Sequence, residues 1–461
     1  MGKQISGVFA LLIAIMVAAH GADGFVKVSG TCFLLDGHPW YVCGANLWYG
    51  AYLGMATDNG ESRARLVREL DRLQKMGINN LRVLGASEAC TVSRTVTPAI
   101  QQAPGRYDEK VLQGLDFLIQ EAGRRRMKLV LFLNNFWDWS GGMPQYLAWA
   151  ERKPAQGLAD LLWPEYNRHL STFYRNAAAQ ELYRQYLAMI INRTNSLTGR
   201  KYRDDPTIMT WELANEPRPG MDHDDPVLLE TFVTWVDGTA AYIHSLDRNH
   251  LVTTGSEGVM GGLFTAQNFL RVHQSGWIDY AVFHLWPKNW GWFQVERYQE
   301  TLEPTQQHTR DYVATHLAAG EALGKPVVLE EFGLDRDDGY TPEVATTSRD
   351  RLYAEVFALI EQSIARGGAA AGSNFWLWGG EGRPSGPGAA VPDDTIGAGD
   401  MPQERAGQNS VFDTDQSTLK ILSDHFARLA RLYPTQLPDR LADGLDGQDR
   451  IMPFILLPVS K

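Results

Sequence analysis

Two glutamates carry the first chemical signal in this chain. Glu216 lies in Trp211-Glu212-Leu213-Ala214-Asn215-Glu216-Pro217 and Glu331 in Leu329-Glu330-Glu331-Phe332-Gly333, each at the end of a short apolar run. Cleaving an acetal link between sugars needs a proton for a poor leaving group and, across the ring, either a nucleophile or a base that activates water. Two carboxyls can divide that work when their surroundings differ. Desolvation or a neighbouring negative charge keeps one protonated, while hydrogen bonds or a cation such as Arg82 keep the other ionised. Glu216 is then the candidate acid/base and Glu331 the candidate nucleophile. Asn215 can bond a hydroxyl beside the reacting carbon, His284 can bind a hydroxyl or orient a carboxylate, and Trp376 can carry a sugar ring on its face. Each of these alone has a plain structural use as an ion pair, a satisfied histidine or core packing, and only their joint placement points to a site. Two adjacent choices stay open at this level, Glu212 against Glu216 and Glu330 against Glu331. Alternation along a strand points Glu330 and Glu331 in opposite directions, and only one can face a common site.

What gathers residues so far apart is a repeating pattern of strands and helices. Apolar stretches occur at 41–46, 79–84, 128–133, 208–213, 251–254, 280–283, 327–330 and 372–377. Between them run amphipathic segments, such as the one carrying Leu66, Leu70 and Leu73 at helical spacing before Met76-Gly77, and others over 179–191, 228–246, 309–319 and 352–365. Eight such repeats without a strong internal linker predict a (β/α)8 barrel over 23–435, with a long Trp-rich insertion after the third strand. A doubly wound sheet is the rival, but no Gly-x-Gly-x-x-Gly follows the first strand. In a barrel the C-terminal strand ends share one face, and there the pattern places Arg82, Asn215, Glu216, His284, Glu331 and Trp376.

Composition narrows the partners. The formal net charge is −11, and the chain's main basic run is Arg124-Arg125-Arg126, so no concentrated positive field suits nucleic acid. At the N-terminus, Lys3 precedes an apolar run from Val8 to Ala19 that ends at Gly21-Ala22. Its core of about 12 residues is shorter than the roughly 20 needed to span a bilayer, and reads as a signal peptide over 1–22 on a secreted, extracellular or periplasmic, protein. No later segment is apolar enough to span a membrane. Three cysteines, Cys32, Cys43 and Cys90, leave room for one disulfide, with Cys32 and Cys43 placed for a hairpin staple. No Cys-x-x-Cys or His-Glu-x-x-His signature supports a metal centre, and nothing calls for a cofactor or an obligate protein partner.

The motifs resemble glycoside hydrolase family 5, especially its β-mannanase branch. Asn215-Glu216-Pro217 is similar to the family's acid/base motif and Glu331-Phe332-Gly333 to its nucleophile motif; the resemblance selects Glu331 over Glu330. Arg82 in Asn80-Leu81-Arg82-Val83 matches the family arginine near the nucleophile. The segments 104–109, 114–116, 141–146, 203–209 and 409–413 also resemble that branch, so the likeness runs from about residue 25 to 430. It implies a retaining double displacement and endo-1,4-β-mannosidase activity on mannan, glucomannan or galactomannan. A β-1,4-glucanase is the nearest alternative, because the same carboxylates serve several sugar configurations, and an inactive carbohydrate-binding protein is the alternative of another class. One departure stands out: where the family commonly has His-x-Tyr after strand six, this chain reads His284-Leu285-Trp286. Trp286 replaces a hydroxyl with an indole donor of different reach. Trp48, Trp137, Trp139, Trp290, Trp292 and Trp378 can offer stacking faces to an extended sugar chain or pack the loops.

Smaller features complete the reading. Asn192-Arg193-Thr194 has the form of a glycosylation sequon. Asp222, Asp224 and Asp225 form an acidic cluster that a solvated loop explains better than a calcium cage. Residues 436–461, with the apolar stretch 451–457, are expected to form an extension packed on the barrel.

Overall fold

The computed structural model describes residues 24–432 except 93, 156–160, 221–225, 338, 385–396 and 398. The expected signal peptide, the cluster of Asp222, Asp224 and Asp225, and the extension at 436–461 lie outside the described residues. All eight expected strands form: β1 (Val42–Asn46), β2 (Asn80–Leu84), β3 (Lys128–Phe132), β4 (Ile208–Glu212), β5 (Leu251–Thr253), β6 (Ala281–Leu285), β7 (Val327–Phe332) and β8 (Ala370–Phe375). They pair in parallel in the order β5-β4-β3-β2-β1-β8-β7-β6. The remaining seam, β5 to β6, closes through irregular bonds. The Asp279 N–H donates to the Val252 carbonyl at 2.9 Å, and the His284 N–H to the Glu257 carbonyl at 3.1 Å. The chain is a (β/α)8 barrel.

Every residue of these strands is buried, because one face fills the barrel and the other lies beneath helices. The helix Glu61–Lys75 buries Leu66, Leu70 and Leu73 and ends at Met76. The helix Glu109–Arg124 begins where the Asp108 carboxylate accepts the Lys110 N–H at 2.9 Å, satisfying one of the free amides of the first turn. The insertion after β3 folds into the short helices Gly142–Glu151 and Trp163–Leu170, which lead into the helix Ala177–Asn192. Asn192 of the sequon is held on both sides of its amide, donating to the Ala188 carbonyl at 2.8 Å and accepting from Arg203 at 2.9 Å.

One element escaped the sequence reading. Lys27–Ser29, Cys32–Leu35 and His38–Trp40 form an antiparallel three-stranded sheet. Phe33 and Trp40 from it pack with Val42, Met209, Leu251, Tyr280, Val282 and Val328, and so plug the N-terminal end of the barrel. The three cysteines are free thiols. A Cys32–Cys43 staple does not form: Cys32 pairs within this small sheet, whereas Cys43 lies in the wall of the barrel, where burial pushes its thiol pKa up. Among the described residues, no helix is long and apolar enough to cross a membrane.

Candidate active site

The strand ends place the expected polar residues around one buried cation. Arg82, on β2, uses all five of its N–H groups. Its Nε donates to Glu212 Oε2 at 2.8 Å and Nη2 to Glu212 Oε1 at 2.6 Å, a bidentate pair. Nη2 also donates to Asn215 Oδ1 at 2.8 Å, while Nη1 donates to Asn46 Oδ1 at 3.2 Å and to Glu331 Oε1. The Phe132 ring lies 4.7 Å from the guanidinium carbon. Burial works against the charge of Arg82, but Glu212 and Glu331 hold its pKa well above the usual arginine value. Glu212 is therefore a structural counter-ion of Arg82, which separates it from Glu216.

The strand alternation expected for Glu330 and Glu331 is broken by a bulge. Leu329 pairs with Phe283 and Glu331 with His284, so Glu330 is an extra residue on β7. As a result both glutamates lie on the inner side, contrary to the opposite orientations expected from period two. Glu331 takes the bond from Arg82 and one from Trp286 Nε1 at 3.3 Å. Glu330 stays beside Tyr280, whose hydroxyl is 3.4 Å from its Oε1, and only approaches Arg82 Nε at 4.0 Å.

Glu216 follows β4 in a left-handed backbone conformation, φ 49°, that an L-residue adopts only when its surroundings enforce it. Its N–H donates to the Gly255 carbonyl at 2.9 Å. Gly255, φ +73°, must lack a side chain there, because a Cβ would come within 1.9 Å of the Ala214 carbonyl and 2.3 Å of Glu212 Oε1. Glu216 Oε2 accepts Trp137 Nε1 at 2.6 Å, and its Oε1 lies 2.7 Å from His284 Nδ1. His284 is also 3.4 Å from Glu331 Oε2, bridging the two carboxyls. An oxygen of Glu216 and one of Glu331 lie within 4.8 Å of each other.

The electrostatics of the pair are asymmetric. Burial raises both carboxyls above the ordinary glutamate value. For Glu331 the Arg82 guanidinium is the chief opposing influence, and the neighbouring Glu216 and Glu212 add to the rise. For Glu216 the charge of Arg218 opposes burial, helped by the Trp137 donor. Burial and the nearness of the two carboxyls disfavour a charge on both at once, and Glu331 is the one that Arg82 bonds directly. His284 is kept neutral by burial, with Arg82 adding to the fall in its pKa.

The other expected residues divide between site and scaffold. Trp286 and Trp376 meet edge to face with centroids 5.9 Å apart. Trp137 is half-buried and stacks on the exposed Trp163 at 5.5 Å. Trp48 is buried under Trp139, Tyr49 and Tyr52, and its indole N–H donates to the Gly399 carbonyl at 2.7 Å, so it braces the loop after β8. Two residues escaped the sequence reading. Arg218 lies 5.2 Å from both the Trp137 and Trp163 rings and bonds Glu257, which also accepts Trp290 Nε1 at 2.8 Å. Burial, opposed by Arg218, pushes Glu257 up to about 7. Glu257 follows β5 and Arg218 follows Asn-Glu-Pro, so strand-end position was the signal available for both.

Residues 23–433 match the family described as GH family 5 beta-mannosidase-like. The chain belongs to glycoside hydrolase family 5. A putative mannan endo-1,4-beta-mannosidase 4 of Arabidopsis thaliana is 31% identical over 449 residues, which span 93% of this chain and 98% of the relative. Among solved structures, a family 5 mannosidase from Rhizomucor miehei shares 32% identity at a TM-score of 0.80, covering 89% of this chain and 98% of its own. An endo-1,4-beta-mannanase from the same fungus is 24% identical with a TM-score of 0.63, covering 88% and 100%, and supports the barrel fold. This family 5 enzyme is thus a glycoside hydrolase, and its family is a retaining one.

Proposed function

We propose that this enzyme is a secreted endo-1,4-β-mannosidase in which Glu331 is the nucleophile and Glu216 the acid/base, acting on internal links of mannan, glucomannan or galactomannan. The observation that carries the chemistry is a cation-bonded carboxylate whose oxygen lies within 4.8 Å of a carboxyl held by neutral donors. Retaining sites keep their carboxyls about 5–5.5 Å apart, and inverting sites about 6.5–9.5 Å to leave room for water. The sugar assignment rests on the mannan-acting relatives.

Glu331 attacks the anomeric carbon while Glu216 protonates the departing oxygen. Glu216, then ionised and steadied by Trp137, draws a proton from water, which displaces Glu331 and returns the sugar with its original configuration. Asn215, its amide oxygen fixed by Arg82 and one amide N–H donated to Asn135 Oδ1 at 3.1 Å, presents its other N–H to the hydroxyl beside the reacting carbon. Trp376 supports the ring, Trp286 steadies the nucleophile, and Trp137 with Trp163 lines the leaving-group side. Trp48 acts from behind, through the loop after β8.

Defined β-1,4-linked manno- and gluco-oligosaccharides, with the product anomer followed at early time, test the proposal. The expected result is cleavage of internal mannosidic links with β-anomer released first. Robust cleavage of cellulose with no mannan hydrolysis at any pH overturns the sugar assignment, and an initial α-anomer overturns the mechanism. The N-terminus of the secreted protein is expected near Asp23.

A second reading is favoured by the loop after β8. Gln403 bonds Asp138 in the loop after β3, and Arg94 donates to the Pro402 carbonyl at 3.1 Å, so this loop joins those after β2 and β3 beside the site. Such a crossing fits a closed pocket and an exo-acting mannosidase, in keeping with the TM-score of 0.80 to a mannosidase. Mannose as the first product from mannopentaose, with little loss of viscosity from galactomannan, selects this reading over endo cleavage.

A further inference from the structure

The Trp137 indole reaches Glu216 from a loop, and a carboxyl outside the site bonds that loop. Residues 135–142, after β3, make internal bonds from Asn135 to Ser140 Oγ at 3.0 Å and from the Trp137 N–H to Asn135 Oδ1 at 3.0 Å. Two residues of the neighbouring loop after β2 hold it: the Val96 N–H donates to the Trp139 carbonyl at 2.8 Å, and Glu88 grips both of its last turns. Its N–H donates to the Ser140 carbonyl at 2.8 Å, and its Oε2 accepts the Gly142 N–H at 2.8 Å. The backbones touch here: a Cβ on Gly141, φ +90°, would lie 2.3 Å from the Glu88 carbonyl oxygen.

The surroundings of Glu88 are those of a neutral acid. It is 1% exposed, and its Oε1 has no hydrogen-bond partner. The titratable groups facing it are Tyr52, Cys90, Tyr146 from the helix Gly142–Glu151, and Tyr183 and Tyr186 from the helix Ala177–Asn192. Among the described residues, no cation makes an ion pair with it. An unpaired carboxylate in such a place is costly, whereas a carboxylic acid still offers Gly142 an acceptor.

We propose that Glu88 is a positioning residue for catalysis: as a neutral acid it clamps the 135–142 loop so that the Trp137 N–H stays on Glu216. This rests on the reading of Glu216 as the acid/base. Burial pushes Glu88 up to about 8, while the Gly142 N–H and the neighbouring Tyr146 hydroxyl pull the other way. The acid is therefore protonated in the folded enzyme at neutral pH. Because the folded value is the higher one, this group favours the fold least above about 8 and progressively more as the pH falls to the ordinary glutamate value.

The test compares Glu88→Gln, Glu88→Leu, Trp137→Phe and the double variant Glu88→Leu with Trp137→Phe, by the pH profile of kcat/KM on mannotetraose. Glutamine keeps an acceptor without a proton to lose, and its expected profile matches the wild type below about pH 8, where Glu88 is neutral. Glu88→Leu and Trp137→Phe each lose a donor to ionised Glu216; the expected result for both is a roughly tenfold lower kcat and an alkaline limb moved to higher pH. The double variant is expected to be no worse than Trp137→Phe alone, since both act on one bond. Additive losses, or a Glu88→Leu enzyme with an unmoved alkaline limb, overturn the inference. If Glu88→Leu does not fold, the melting temperature of Glu88→Gln against pH decides, with a gain over the wild type that grows as the pH rises from 5 to 8 expected, and a constant difference overturning it. Glu216→Gln separates the two readings: full turnover there removes the acid/base assignment, whereas an inactive Glu216→Gln beside an unmoved Glu88→Leu profile removes this inference alone.

Discussion

The two sides of the site are built on opposite plans. Glu331 extends from a bulged barrel strand onto a guanidinium that has no free N–H left. Glu216 sits on a left-handed turn beside a neutral imidazole and an indole presented by a loop. A fixed cation stabilises one charge state, whereas neutral donors around a buried carboxyl leave both within reach. Under the proposed roles, the difference teaches that a nucleophile needs a constant environment and an acid/base needs one that tolerates gain and loss of a proton.

Removing the proposed nucleophile is the strongest way to break that comparison. Glu331→Ala is expected to lower kcat by at least about 10,000-fold while retaining the fold, because Arg82 keeps its bidentate bond to Glu212. Residual turnover near the wild-type rate removes the assignment. Arg82→Met comes next. It leaves Glu212 and Glu331 without their buried cation, with an expected cost of about 3–5 kcal/mol in denaturant unfolding and a kcat loss on the order of a hundredfold.

Trp286→Phe removes the indole donor of the nucleophile, a donor that also acts on Glu216. Loss of its indole donor disfavours the anion, so the Glu331 pKa rises and the acid limb of kcat/KM moves to higher pH, with a roughly tenfold fall in kcat. A limb that stays in place shows the donor to be dispensable. Glu330→Gln is expected to have the smallest effect, less than about threefold in kcat, since Glu330 receives no N–H from Arg82. A loss as deep as that of Glu331→Ala reverses the assignment of the two neighbours.

Much of this arrangement was legible in the sequence. The strands announced themselves as apolar runs because both faces of a barrel strand are buried, and polar residues at their C-terminal ends marked the site. The N-terminal sheet was not legible, since strands of three and four residues around Gly30 and Gly37 show too little alternation to register. The bulge at Glu330 was hidden for a different reason: register is a relation between two strands, and no property of 327–332 alone encodes it. The sequence offers Trp137 as a stacking face, but its N–H reaches Glu216, which lies on another loop. The pairing of Arg218 with Glu257 was not legible because it joins segments 39 residues apart.

The sheet that plugs the far end of the barrel also sets an order of events. With Phe33, Trp40 and Tyr280 filling that end, the carboxyl pair opens to solvent at one mouth, the same mouth that admits the polysaccharide. Under the proposed roles, the water of the second displacement comes through that same mouth. On those roles the departing half of the chain must vacate its place before the second displacement begins, and the architecture acts as a one-way queue in which leaving precedes arrival.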